Sequence, residues 1–367
     1  MQPAYQNPIL RGAAVAVALS IAAFTAYCNP HRPENVAVAL PKLNLRIDNT
    51  SVSGISSGAY MAGQFEMTHA KLVKGAAIIA GGPYGCSESV FAGTMPGTGT
   101  AFLNLGKAIN GCMLDLLGIW GVANPETLAG KAAERAATGD IDPIADIIRH
   151  RVYLFSGQSD HTVVPSIVKA AAAFYAKLGV ADSNIKLVTD VAAGHAFVTD
   201  DAGGACERSG EPYIVDCDYD QAGALLGHIY GPLAARAAAP SGDYVTFDQR
   251  PFENAGRDNG LAGEGVIYIP PACRADAVCS VHIAFHGCAQ NRETVGDTFI
   301  KESGFARWAD TNKLVVLFPQ VATTALNPQA CWDWWGYTGP DYLTRNAPQI
   351  TAVLGMLKAF SGNAPQS

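Results

Sequence analysis

Residues 43–70 read LNLRIDNTSVSGISSGAYMAGQFEMTHA, and their pattern changes period halfway along. From 43 to 53 apolar and polar residues alternate, the two-residue repeat of a strand. From 59 to 70 the composition suits a helix. Between them lies Gly54-Ile55-Ser56-Ser57-Gly58, a G-x-S-x-G at a strand-to-helix turn. Such a turn holds its serine on a strained backbone, which tolerates only small neighbours, and the glycines supply them. It exposes Ser56 Oγ, while the first amides of the helix point at any negative charge that develops beside it. Ser56 is therefore the candidate nucleophile. The plainer alternative is an ordinary Ser/Gly turn in which Ser56 caps the helix.

Outward from this turn the chain alternates strands and helices. Residues 75–82 (GAAIIAGG) are small and apolar, like a buried parallel strand. Residues 83–150 read as an insertion with helices near 126–137 and 142–149. A strand at 151–156, a helix at about 165–178 and a strand at 185–189 make a right-handed parallel crossover. Residues 200–218 form a polar, Cys-bearing loop, and 219–230 suit a helix. The run AARAAAPSG at 234–242 is the best linker. Strands follow at 265–269, 280–285 and 314–318, with a helix at 303–312. At 347–360 Ile350, Val353, Leu354 and Leu357 share one helical face. Strands alternating with helices throughout predict an α/β fold: one domain, a mostly parallel sheet, helices on both faces.

A serine nucleophile needs a base, and the base needs an orienting carboxylate. In α/β hydrolases they follow in the order Ser, Asp or Glu, His, on loops after strands. Asp160 directly follows the 151–156 strand, and His195 follows the 185–189 strand in Ala-Gly-His-Ala-Phe. Asp190, Asp200 and Asp201 come later than that first strand end and are weaker rivals. His161 adjoins Asp160 but cannot reach across its own loop to act as base. The turn His286-Gly287-Cys288 ends the 280–285 strand and matches an oxyanion-hole turn. The amides of Ser57 and Cys288 are then the two donors, and the His286 side chain holds the loop. In the usual chain order the oxyanion strand precedes the nucleophile, whereas here it follows it. This predicts a circularly permuted α/β-hydrolase domain over 40–363. Its nucleophile half is 40–232, its linker 233–260 and its oxyanion-strand half 261–363.

The segment Cys331-Trp332-Asp333-Trp334-Trp335 holds three of the five Trp. It reads either as an apolar wall for substrate or as a core cluster stapled by Cys331. Adjacent Trp residues cannot all be buried on one face, so part of the run is expected to face a cleft.

Composition narrows the function. Of 367 residues 49% are hydrophobic and 16% charged, with a net charge of -7. That excludes a disordered chain, and the acidic balance argues against nucleic-acid binding, which needs basic surface. Residues 12–27 carry no charge and are too short to span a bilayer, so residues 1–39 read as a targeting segment of an exported protein, secreted or periplasmic, with a retained N-terminal anchor as the alternative. No stable membrane partner is expected, and the sequence leaves the oligomeric state open. Apart from Cys28 there are eight Cys, an even number that points to disulfides. Cys206/Cys217 and Cys273/Cys279 are the nearest pairs; Cys86/Cys112 with Cys288/Cys331 is one of three ways to pair the four that remain, so the connectivity stays open. No C-x-x-C exists, so no zinc is expected, and the chemistry needs neither metal nor organic cofactor.

Together SVSGISSGAYMA at 51–62, FSGQSD at 155–160, GHAF at 194–197, FHGC at 285–288 and CWDWW at 331–335 resemble the poly(3-hydroxybutyrate) depolymerases with a permuted catalytic domain. The resemblance covers roughly residues 40–360. It implies Ser56, Asp160 and His195 as triad, the Ser57 and Cys288 amides as oxyanion hole, and a polyester or oligoester substrate contacted by one of Trp332, Trp334 and Trp335. The chain stops near 367 with no separate substrate-binding domain, so amorphous polymer or soluble oligomers are the expected substrates. Two alternatives stand beside this: an exported feruloyl or acetylxylan esterase, and a non-catalytic binding protein on a hydrolase scaffold.

Overall fold

The computed structural model describes residues 41–90, 98–253, 259–275 and 277–361. The expected targeting segment, Cys28 included, lies outside the described residues. Eight strands make the main sheet: β1 Leu45–Ile55, β2 Val73–Ile79, β3 Arg151–Phe155, β4 Ile185–Val188, β8 Asp243–Asp248, β9 Glu264–Ile269, β10 Cys279–Phe285 and β11 Leu314–Phe318. Their order is β4-β3-β2-β1-β10-β11-β9-β8, parallel from β4 to β11 and antiparallel at β9 and β8. A second sheet of three short strands, β5 Phe197–Thr199, β6 Gly204–Ala205 and β7 Ile214–Asp216, stands where a loop was expected. The main helices are α1 Ser57–Thr68, α2 Thr98–Cys112, α3 Pro125–Thr138, α4 Pro165–Leu178, α5 Gln221–Tyr230, α6 Phe305–Asn312 and α7 Pro348–Phe360.

The permuted order is visible in the pairing. β1 lies between β2 of its own half and β10 of the other, and Gly54 is in register with Phe285. That register sets the turn after β1 beside the turn after β10, whatever their distance along the chain. Every residue of β11 is buried, as are all but Ser280 of β10 and the last six of β1. A strand buried on both faces has to be nearly continuous in apolar residues, as LVVLF in β11 is. Helix α1 is buried along its whole length. Gly58 makes this possible, because a Cβ there would stand 2.4 Å from the carbonyl oxygens of Phe285 and His286.

Two elements escape the sequence pattern. Strand β8 falls inside the stretch expected as linker, so that stretch is corrected to an edge strand. Its residues DYVTFD are mostly half-buried, which blunts the alternation. Helix α2 falls inside the insertion; its sequence TGTAFLNLGKAINGC has three Gly and two Thr, poor helix formers. The helix expected over 303–312 is interrupted at Gly304, whose φ is 83°, and continues as α6. Around α2 the surface is unusually apolar: Phe102, Leu116, Ile119 and Trp120 are 66%, 63%, 85% and 71% exposed. Among the described residues no helix is long and apolar enough to cross a membrane.

All eight Cys among the described residues are paired: Cys86–Cys112, Cys206–Cys217, Cys273–Cys279 and Cys288–Cys331. The two nearest pairs form, and of the three ways to pair the other four the structure has Cys86–Cys112 and Cys288–Cys331.

Candidate active site

Ser56 is the corner between β1 and α1. Its φ of 56° lies in the left-handed region that favours glycine. Its N–H donates to Ile79 O at 2.9 Å, which ties the corner to β2. The corner is tight enough that a Cβ on Gly54 would meet Gly58 O at 2.1 Å. Ser56 makes no side-chain capping bond to the helix, so the capping alternative does not describe it. Strain of this size costs about 1–3 kcal/mol and persists only where the surroundings impose it.

Asp160 follows β3 and His195 follows β4, both at the strand-end edge that carries Ser56. Asp160 is buried. Its Oδ1 accepts from the amides of Thr162 and Val163, both at 2.9 Å. Its Oδ2 lies 2.8 Å from His195 Nδ1. With Asp160 as the acceptor, Nδ1 carries the hydrogen and Nε2 is left as the free base nitrogen. The two loops are also joined by main chain, since Ser159 N donates to Ala193 O at 3.0 Å. The His195 amide donates to Ser209 Oγ at 2.8 Å. His195 is only 5% exposed, so little water competes for the pair.

The second candidate donor loop is the turn after β10. Gly287 N donates to Gln290 Oε1 at 2.8 Å, Ala289 N to Gln329 O at 2.6 Å and Gln290 N to Gly287 O at 3.3 Å. The Cys288 amide has no protein acceptor among the described residues. Ser57 opens α1, where the first N–H groups have no partner within the helix. The turn abuts the corner, for a Cβ on Gly287 would stand 3.5 Å from Ser56 Cβ. His286 is fully buried and spans its own loop: Nδ1 donates to Gly287 O at 2.7 Å and Nε2 accepts from Val321 N at 3.2 Å. Burial pushes its pKa down to about 4, so it is a neutral brace for the loop.

The tryptophans correct the expectation of an open wall. Trp332, Trp334 and Trp335 are 0%, 5% and 6% exposed. Trp332 packs on Phe285 and His286, and its amide donates to Ser57 Oγ at 3.3 Å. Trp334 stacks on Tyr60 of α1 at 4.0 Å between ring centroids, and Trp335 packs on Tyr337. The run can be buried because it is not extended. Asp333 is buried and takes the amides of Gly336, Tyr337 and Thr338, which curls the chain and sends successive indoles in different directions. Desolvation pushes the Asp333 carboxyl up from its ordinary range despite these bonds. The Cys288–Cys331 disulfide ties this cluster to the donor loop.

Among the described residues no cluster of three His, Cys, Asp or Glu could hold a metal. A cavity of about 500 Å³ lined by Arg151, Leu233 and Trp308 shares no residue with this site. Sequence reasoning misses Gln290, Tyr213 and Ser209, which carry no motif and act through loop geometry.

No family model matches the chain. A poly(3-hydroxybutyrate) depolymerase of Delftia acidovorans is 39% identical over 332 residues, covering 89% of this chain. The chain spans 62% of the length of that relative. A polyhydroxybutyrate depolymerase of Talaromyces funiculosus is 33% identical over 342 residues, covering 88% of this chain and 92% of its own. The crystal structure of a PHB depolymerase from Penicillium funiculosum superposes with a TM-score of 0.76 at 31% identity, over 89% of this chain and 99% of that one. A serine-to-alanine variant of a PHB depolymerase, complexed with an R3HB trimer, superposes equally well at 30% identity with the same coverage.

Proposed function

The chain belongs to the poly(3-hydroxybutyrate) depolymerase family, and from that membership we propose that it hydrolyses esters of poly(3-hydroxybutyrate) and its oligomers. The observation that carries this is the buried Asp160–His195 pair at 2.8 Å, on the sheet edge where Ser56 occupies a forced corner. Ser56 Oγ attacks the ester carbonyl of a 3-hydroxyacyl unit, and its proton passes to His195 Nε2. Asp160 holds the ring in the required tautomer and stabilises the cation that forms. The tetrahedral oxyanion is met by the amides of Ser57 and Cys288, each worth about 3–4 kcal/mol when aimed at the developing charge. His195 then gives its proton to the departing 3-hydroxyl group, leaving an acyl-Ser56 ester. Water, deprotonated by His195, releases the hydroxy acid and restores Ser56.

The oligomer bound in a relative's structure supports a 3-hydroxyacyl substrate here. Residues 40–363 act as the single catalytic domain. Four disulfides fit an oxidising compartment, which with the uncharged run at 12–27 supports a secreted or periplasmic enzyme. The test is clearing of an amorphous poly(3-hydroxybutyrate) suspension by wild type beside Ser56→Ala, with release of product from 3-hydroxybutyrate trimer measured in parallel. Wild type should clear and hydrolyse, and Ser56→Ala should do neither while staying folded. Activity retained by Ser56→Ala would overturn the nucleophile. Hydrolysis of feruloyl or acetylxylan esters alone would overturn the substrate.

A further inference from the structure

One buried side chain joins the two loops that flank the site. Gln290 is 1% exposed. Its Oε1 accepts from Gly287 N at 2.8 Å, one residue before the Cys288 amide. Its Nε2 donates to the carbonyls of Pro212 at 3.2 Å and Tyr213 at 3.0 Å. Tyr213 in turn leans on the base. Its ring meets that of His195 edge-on, 6.4 Å between centroids. Its carbonyl also accepts from Phe197 N at 2.8 Å, two residues past His195. Tyr213 has a φ of 58°, a conformation that a bulky residue adopts only when its surroundings demand it. A carboxamide offers acceptor and donors on one planar head, and Gln290 uses both kinds across a gap of 78 positions in sequence.

We infer that Gln290 is a positioning residue: it fixes the separation of the Cys288 amide from His195, acting through Gly287 and Tyr213. The inference rests on the esterase reading of the site. A hole donor acts only within about 2.7–3.1 Å of the oxyanion, so a small drift of the loop weakens the transition state. The ground-state ester does not depend on that amide to the same extent, so its binding is spared.

The test compares wild type, Gln290→Glu and Gln290→Met on 3-hydroxybutyrate trimer, with Ser56→Ala as the blank. Met keeps the bulk and loses every hydrogen bond. Glu keeps the length and the acceptor, loses both donors, and sets a negative charge against two carbonyls. Both variants should lose at least tenfold in kcat, with KM within twofold of wild type. The ratio of Gln290→Glu to wild-type kcat should rise as pH falls, because a protonated carboxyl can again donate to one carbonyl. A loss of stability would follow the same protonation, so the melting temperature of each variant is measured at every pH and the ratio is read only where both proteins stay fully folded. If Gln290→Met does not fold, the Glu variant and its pH profile decide. Either folded variant with kcat within twofold of wild type, or a loss confined to KM, overturns the inference alone. A wild type inactive on every ester overturns the esterase reading and the inference with it.

Discussion

His282 and His286 lie under the candidate site, both with no exposed surface. His282 bonds Ser51 Oγ at 2.7 Å and Ser53 Oγ at 2.8 Å, so β10 grips the strand that leads into the candidate nucleophile. Burial pushes its pKa down to about 3, and that of His286 to about 4. In the folded protein both rings are neutral, and in the unfolded chain both take up a proton near pH 6.5. The stability they contribute is therefore complete above pH 6.5 and is lost as pH falls from there, down to about 4 for His286 and about 3 for His282. The slope is about 1.4 kcal/mol per pH unit for each ring. Urea unfolding midpoints at pH 7, 6, 5.5 and 5, a window above the titration of most carboxylates, should fall steadily. A midpoint that stays level across that window would show that these rings are not buried neutral. Ser56, Asp160 and His195 are legible in sequence as candidates because each ends or follows a strand and stands beside a small residue. Gln290 and Tyr213 are not, because what matters is a loop contact across 77 positions and a backbone angle, and neither leaves a local pattern.

Among the elements, those facing the centre of the sheet are the easiest to read. Burial on both faces leaves β11 as an unbroken apolar run, and β2 and β10 nearly so, broken by Lys74 and by Ser280 and His282. Strand β8 and helix α2 lie at the margin, where half-burial dilutes the periodicity. The Trp cluster misleads for a related reason. Adjacent indoles in an extended chain would point to opposite sides, but Asp333 gathers three amides and curls the segment inward. This cluster reaches the donor loop through Cys288–Cys331, which closes a separation of 43 residues. Removing such a crosslink costs about 4 kcal/mol in the chain-entropy account. Cys331→Ser, made together with Cys288→Ser to leave no lone thiol, should therefore lower the melting temperature by several degrees. It should also lower kcat on 3-hydroxybutyrate trimer, since the Cys288 amide loses its anchor. Melting and kcat both at wild-type values would show that the loop is held without the disulfide.

In the whole molecule the two halves lie side by side in one sheet and meet at the β1–β10 pair. The nucleophile strand has one neighbour from each half, so neither half alone has both candidate hole donors. The permuted order is readable because the HGC turn comes after the G-x-S-x-G turn. What lies outside the sheet is less constrained, and the insertion between β2 and β3 carries Phe102, Leu116, Ile119 and Trp120 into solvent. Side chains of that kind on an otherwise acidic protein make it an amphiphile. The molecule should gather at air–water boundaries and on plastic, lower the surface tension of dilute solutions, and disappear from unpassivated tubes at low concentration. A trace of non-ionic detergent should return it to solution.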